Sequence, residues 1–309
     1  MTAAATTAPA TITRGAGGRP SRRRSAVWLG LTPFAIYVLL FLLVPTVLAV
    51  GSGFFDKNGA FTFANFKALA DPNVQGDIGA SVGLSAVTAI LGAIIGAIIC
   101  FALLGTNPQG WLRNIIDSIS SVLAQFGGVM LAFAFEAAIG QQGLVTIWLE
   151  NTFHLPATNV FTSFANNGPF LFQIAGLTVP YLYFQIPLMV IVFMPAMEGL
   201  KKTWGEANAT LGGTRFTYWT RIAFPILAPA FIGSIVLLFA NSFSSYATAA
   251  ALISQGGILP LDIKQALTSE TVIGQQNTAG VEALVMIVIM IGIMVIYSAL
   301  ERRASRWRS

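Results

Sequence analysis

Six stretches of roughly 20 mostly apolar residues punctuate this chain, and about that length lets an α-helix cross the hydrocarbon core of a bilayer. They run from about Val27 to Val50, Ser81 to Leu104, Ile115 to Ile139, Pro169 to Met194, Ile222 to Ser244 and Val281 to Leu300. The third is diluted by Ser, Gln and Gly. Composition points the same way. Only 9% of the 309 residues are charged and 55% are hydrophobic, and the mean hydropathy is +0.73. A soluble domain carries about a quarter charged residues, because its surface faces water. The expected fold class is therefore all-α, a polytopic membrane protein with six transmembrane helices.

The first run follows Arg22, Arg23 and Arg24, as a signal peptide would. At roughly 24 residues it exceeds the apolar region of a cleaved signal, about 7–15 residues, and it reads as an uncleaved span. Residues 1–26 show no apolar periodicity and are expected to be a disordered tail, with 27–300 the membrane domain and 301–309 a second tail. Basic residues set the orientation. Of the 17, only Lys57, Lys67 and Lys264 fall in loops on the side opposite the N-terminus. The rest lie in the two tails, at Arg113, and at Lys201, Lys202, Arg215 and Arg221. Both termini are therefore expected in the cytoplasm of a cell-membrane protein. Prolines 33, 45, 180, 187, 225 and 229 fall within spans, where each removes a backbone donor and kinks the helix. Kinked helices suit a bundle around a cavity, but proline is also simply commoner in membrane helices than in soluble ones.

Several functions are excluded. The charge of +5 is not spread as a basic stripe with interleaved aromatics, so no nucleic acid is expected as a partner. One cysteine, Cys100, and one histidine, His154, lie far apart and supply neither an intramolecular disulfide nor a metal cage. No Ser, His and Asp constellation suggests an intramembrane enzyme. No cofactor is expected.

The loop between the fourth and fifth spans, residues 197–221, is unlike a connector. Trp204, Ala207 and Leu211 recur at helical spacing, Gly212 and Gly213 stop the helix, and Phe216, Trp219 and Ile222 begin another that Pro225 ends or kinks. Rich in Arg and Trp on the expected cytoplasmic side, it reads as a docking element, or else as an interfacial helix lying on the membrane.

Here a resemblance becomes specific. Glu206, Ala207 and Asn208, then three residues, Gly212, nine residues, Ile222, two residues and Pro225 resemble the signature of ABC importer permeases. That signature reads Glu-Ala-Ala, three residues, Gly, nine residues, Ile, then Pro. Asn208 departs from the second Ala. The segment Phe61 to Leu69, with Asn65-Phe66, is similar to the stretch preceding the second span in these permeases. Asn241 to Ala251 and the closing Leu300, Glu301, Arg302 and Arg303 resemble the spermidine and putrescine subgroup. Relatives of that subgroup handle ferric iron, thiamine or phosphonates, and a sugar permease is a further alternative.

The resemblance implies that Glu206, Ala207, Gly212, Ile222 and Pro225 form a cytoplasmic coupling helix and turn seated in an ATPase cleft. It implies a cytoplasmic ABC ATPase dimer, a second permease subunit (the same or homologous) and an extracytoplasmic solute-binding protein as partners. The chain has no G-x-x-x-x-G-K-[ST] phosphate loop, so it is a transport subunit rather than an enzyme, with ATP hydrolysis expected on a separate chain.

Other residues are candidates for the translocation path. Glu136 and Glu282 sit near the expected outer ends of spans three and six, where they line an entrance or rest at the interface. Tyr181, Tyr183, Phe184 and Gln185 follow Pro180, as a cation-stacking group or as ordinary helix packing. Asp117 follows Arg113 by four residues, as an ion pair. The expected outer side holds Asp56, Asp71, Asp77, Glu136, Glu150, Asp262, Glu270 and Glu282 against three lysines, which would concentrate a cationic solute such as a polyamine. Docking of the binding protein accounts for those acids equally well. A self-sufficient channel or secondary transporter is the rival function, but it needs mid-membrane charge or inverted repeats, and neither is found.

Overall fold

The computed structural model describes residues 31–107, 110–140, 142–153, 170–253, 256–268 and 275–305. The expected N-terminal tail, His154, Glu270 and the chain beyond 305 lie outside them. Among the described residues all regular elements are helical, and extended backbone pairs only at an isolated bridge between Phe55 and Phe61. Six stretches are long and apolar enough to span a membrane: Leu31–Ser52, Pro72–Leu103, Val129–Thr152, Ala175–Glu198, Arg215–Leu252 and Gln276–Ala299. The chain is a multi-pass all-α membrane protein.

Two compact units divide it, Met1–Leu48 and Ala49–Ser309. The first holds most of α1, Leu31–Ser52, whose large apolar side chains, such as Phe34, Phe41 and Leu48, are exposed. Within α1 a π-turn, Leu39–Leu43, immediately precedes Val44 and Pro45. A proline ring pushes on the carbonyl four residues back and offers no N–H, and one wider turn accommodates both defects.

The second unit begins with a hairpin whose Asn65 amide donates to the carbonyls of Gly53 and Phe55, each at 2.9 Å. Helix α2, Pro72–Leu103, starts about ten residues before the expected Ser81. Asp71 caps it by accepting from the Asn73 N–H at 2.9 Å, and Pro72 occupies its first turn, where a missing N–H costs nothing. The run expected from Ile115 to Ile139 is broken. Helix α3, Trp111–Gln125, and helix α4, Val129–Ile139, are separated by Phe126, Gly127 and Gly128, with Gly128 at φ +74°. Only glycine takes that conformation freely. The third stretch long and apolar enough to span is instead Val129–Thr152, which holds α4 and most of α5, Leu144–Phe153, and includes Glu136.

Helix α6, Thr178–Glu198, leads to α7, Lys202–Thr210. Helix α8, Arg215–Tyr218, continues through a π-turn, Trp219–Ala223, into α9, Phe224–Phe243. Pro225 therefore ends nothing: the π-turn stands in the same relation to it as Leu39–Leu43 does to Pro45. Helices α10, Ala247–Leu252, α11, Leu259–Thr268, and α12, Gln275–Ser305, follow among the described residues.

Helices α2, α6 and α9 pack on one another, α3 lies along α6, and α12 packs on α9 and α11. Small residues permit the close crossings. A Cβ on Gly92 would lie 3.0 Å from Gln185 Cβ, and one on Gly96 would lie 2.6 Å from Met189 Cβ. Such approaches suit helices in lipid, which associate by packing rather than by water exclusion. Met189, Phe193, Leu238 and Phe243 fill the core around them.

Candidate functional site

The α7–α8 loop is built by local rules that can be traced residue by residue. Helix α7 ends in a Schellman motif. Gly212, at φ +75°, donates to the carbonyl of Ala209 at 3.0 Å, and Gly213 donates to that of Asn208 at 2.8 Å. Thr214 then caps α8 by accepting from the Thr217 N–H at 3.2 Å. Asn208, the departure from the family signature, closes the turn: its amide donates to the Thr214 carbonyl at 3.1 Å. Sequence spacing placed the turn correctly but not its crowding. Open space surrounds Gly212, whereas a Cβ on Gly213 would overlap the Asn208 side chain. Gly212 is required for its dihedral and Gly213 for its room.

What this loop presents is an apolar surface. Leu211 is 88% exposed and Phe216 77% exposed. Trp204, Ala207, Asn208, Leu211, Ile222 and Ile226 line a recess of about 300 Å³. Glu206 and Ala207 are exposed on α7, Pro225 is exposed, and Ile222 is half-buried. The five signature residues thus run from α7 through its turn to the π-turn and the first residues of α9, and two of them, Ala207 and Ile222, share the recess. The loop is anchored to the bundle through Trp219, whose ring meets that of Phe101 on α2 with centroids 4.9 Å apart.

A second tie joins this region to α3. Arg113, its side chain only 8% exposed, contacts Asp117 Oδ2 through Nε at 2.7 Å and Glu198 Oε1 through Nη2 at 2.9 Å. The Asp117 pair follows from sequence spacing. The Glu198 contact, between residues far apart in the chain, has no such signal.

The translocation-path candidates are scattered. Glu136 is exposed, in a recess of about 370 Å³ with Phe133, Ala137, Gln142 and Phe172. Tyr183 is half-buried with ring centroids 5.7 Å from Phe135 and 6.4 Å from Phe126. Tyr181 is fully buried and its hydroxyl donates to the Ser245 carbonyl at 2.9 Å. Gln185 is buried mid-bundle, donating to Thr88 Oγ1 at 3.0 Å, and Thr88 lies 2.9 Å from Ser242 Oγ. These hydroxyls join α2, α6 and α9, and they were not singled out from sequence because lone Thr and Ser in apolar runs carry no pattern. Gln185 Oε1 and Glu282 Oε2 are buried without a hydrogen-bond partner among the described residues. Glu282, on α12, interacts with Asp262 on α11, which hydrogen-bonds Asp77 on α2. The break before α4 is satisfied by Thr248, whose hydroxyl accepts from the Gly128 N–H at 3.0 Å and donates to its carbonyl at 3.2 Å.

No protein-family model matches the chain. A chain of a bacterial ABC transporter for alginate, solved in complex with an alginate pentasaccharide-bound periplasmic protein, has the same fold. Its TM-score is 0.68 at 16% identity, over 91% of this chain and 96% of that one. The chain is similar to the probable starch degradation products transport system permease protein AmyD of Thermoanaerobacterium thermosulfurigenes, at 22% identity over 89% of this chain and 94% of that protein. It is also similar to the probable sulfate transport system permease protein cysT of Helicosporidium sp. subsp. Simulium jonesii, at 23% identity over 84% of this chain and 88% of that protein. The chain thus shares the fold of a solved ABC transporter chain and is similar in sequence to transport system permease proteins.

Proposed function

We propose that this chain is the membrane-spanning permease subunit of an ABC importer in the cell membrane, with both termini in the cytoplasm, and that the α7–α8 loop docks into a cytoplasmic ATPase. The observation that carries this is the loop: a rigid helix–Schellman turn–helix with Leu211 and Phe216 exposed around an apolar recess. An exposed apolar patch of this kind serves an interface. Glu206, Ala207, Gly212, Ile222 and Pro225 supply its coupling surface. A paired permease, an ATPase dimer and an extracytoplasmic solute-binding protein complete the assembly, and ATP hydrolysis belongs to the ATPase.

The solute is a saccharide. The named relatives are described as handling starch degradation products and sulfate, and the transporter of like fold handles alginate. These descriptions give no support to the polyamine expected from the chain's closing segments. The acids expected in the outer loops distinguish the remaining classes: Asp56, Asp71 and Asp77, against few lysines, disfavour sulfate and leave a neutral sugar indifferent.

The test is purification of the tagged chain from its native membranes in mild detergent. An ATPase should co-purify, and Leu211→Asp should release it while the chain stays at normal level in the membrane. Uptake by the intact system should favour labelled maltooligosaccharides over sulfate and spermidine. Failure of any ATPase to co-purify with the unaltered chain rejects the importer reading, and spermidine uptake rejects the saccharide alone.

A further inference from the structure

We propose that Arg113 is a positioning residue that carries movement of the coupling loop into α3, and through α3 to the glycine break ahead of α4, by gripping Glu198. The inference rests on the importer reading above, since it gives the loop a cargo of motion to transmit.

The geometry assigns the two carboxylates different jobs. Asp117 lies on the same helix as Arg113, one turn on, and holds the guanidinium in place. Glu198 is the last residue of α6, and α7 begins at Lys202. The bond at 2.9 Å from Nη2 to Oε1 therefore joins α3 to the root of the coupling helix. Arg113 is the buried member, 8% exposed at its side chain, whereas the carboxylates are 47% and 45% exposed. A buried guanidinium that loses a partner is costly, so the arginine follows its carboxylates rather than releasing them.

What lies beyond α3 makes the tie consequential. Helix α3 ends at Gln125, and Gly127 and Gly128 intervene before α4 starts at Val129. Gly128, at φ +74°, is a point about which α4 can turn, and Thr248 on α10 holds its N–H and carbonyl as a single side-chain latch. A displacement of α7 moves Glu198. The buried Arg113 moves α3 with it, and the break converts that motion into a change of α4, which carries Glu136.

The experiment uses the full chain with its ATPase in lipid nanodiscs. Cys100 is the single cysteine and is replaced by Ser in every variant. Spin labels are placed at Ala134 on α4 and Leu267 on α11, both exposed. The distance between them is read by double electron–electron resonance before and after vanadate trapping of ATP. The unaltered pair should shift on trapping. Glu198→Gln should keep ATP hydrolysis but lose most of the shift, whereas Asp117→Asn should keep both, because only the Glu198 arm joins two helices. A side chain that merely stabilises the fold would not separate hydrolysis from the shift. Either an unaltered chain that traps ATP without a shift or a Glu198→Gln chain that shifts normally overturns the proposal. If no ATPase engages even the unaltered chain, the importer reading has failed instead. The tie is then read alone, from labels at Ser118 on α3 and Thr203 on α7: broadening of their distance by Glu198→Gln supports it, and no broadening overturns it.

Discussion

Asn208 and Gly213 occupy one another's space: the Asn208 amide, reaching across the turn to the Thr214 carbonyl at 3.1 Å, fills the volume a Cβ at position 213 would need. The two residues therefore act as a unit. Asn208→Ala should lower loop stability by about 1 kcal/mol, one hydrogen bond's net contribution. Gly213→Ala should cost more while Asn208 is present and much less in the double variant with Asn208→Ala. Gly212→Ala, in open space but at φ +75°, should cost about 1–2 kcal/mol regardless of position 208. Retention of the ATPase on the purified chain, measured at increasing temperature, reads the difference. Additivity of the 208 and 213 substitutions would show that they do not share space.

Two glycines of α2 make an internal control for the helix crossing. A Cβ on Gly83 would have nothing within 4 Å, whereas one on Gly96 would meet Met189 Cβ at 2.6 Å. Gly83→Ala should raise the thermal midpoint of the detergent-purified protein, because alanine favours a helix over glycine by about 1 kcal/mol. Gly96→Ala gains the same propensity but forces α2 from α6 and should lower the midpoint, by about 1–3 kcal/mol of overpacking less that gain. Equal effects at both positions would contradict the packing of α2 on α6.

Tyr181→Phe tests a buried hydroxyl. The ring stays apolar and of like volume, but the Ser245 carbonyl loses its donor at 2.9 Å. The expected loss is about 0.6–1.5 kcal/mol, since polar contacts within membrane bundles are modest. Solute uptake unchanged beside a lowered midpoint would assign Tyr181 to packing. Uptake lost at an unchanged midpoint would assign it to the path.

The segments legible in sequence were those whose signal is local. Apolar runs located the spans, and the spacing of Trp204, Ala207, Leu211 and Gly212 located the turn between α7 and α8. The third span was misplaced because hydropathy averages over dihedrals. Ile115 to Ile139 is apolar enough on average, but Gly127-Gly128 inside it breaks the helix, and that pair was the available clue. Pro225 was expected to end or kink its helix, because a proline's cost is visible in sequence while the π-turn that absorbs it is not. Arg113 with Glu198, and Thr88 with Gln185 and Ser242, are pairings across long chain separations. Nothing periodic in a single sequence records which buried polar group faces which.

Membrane topology is directly measurable. With cytoplasmic termini and six spans, alkaline phosphatase fused after Ser309 should be inactive and the same reporter fused after Asp262 active. The stretches Arg215–Leu252 and Gln276–Ala299 flank α11, so if both cross the membrane the loop bearing Asp262 lies opposite the α7–α8 loop. Activity after Ser309 would invert the arrangement and remove the coupling loop from the cytoplasm.

Acidity should stabilise the packing of α11. Burial, first, and then the hydrogen bond with Asp77, its charge and the charge of Glu282 push the Asp262 carboxyl up to about 8, from an ordinary 3.8. Between those values the folded protein keeps a proton that the unfolded chain releases. Where the folded state binds more protons, stability falls as pH rises. The contribution is therefore complete below about pH 4 and lost as pH climbs through about 8. Deprotonation leaves like charges on α2, α11 and α12 facing one another in a half-buried site. The thermal midpoint of the detergent-purified protein should fall between roughly pH 5 and 9, and Asp262→Asn, neutral throughout but still able to hydrogen-bond Asp77, should flatten that slope. Asp71→Asn, at the exposed α2 cap, leaves the cluster intact and should retain the slope. A slope that survives Asp262→Asn unchanged would place its origin elsewhere in the chain.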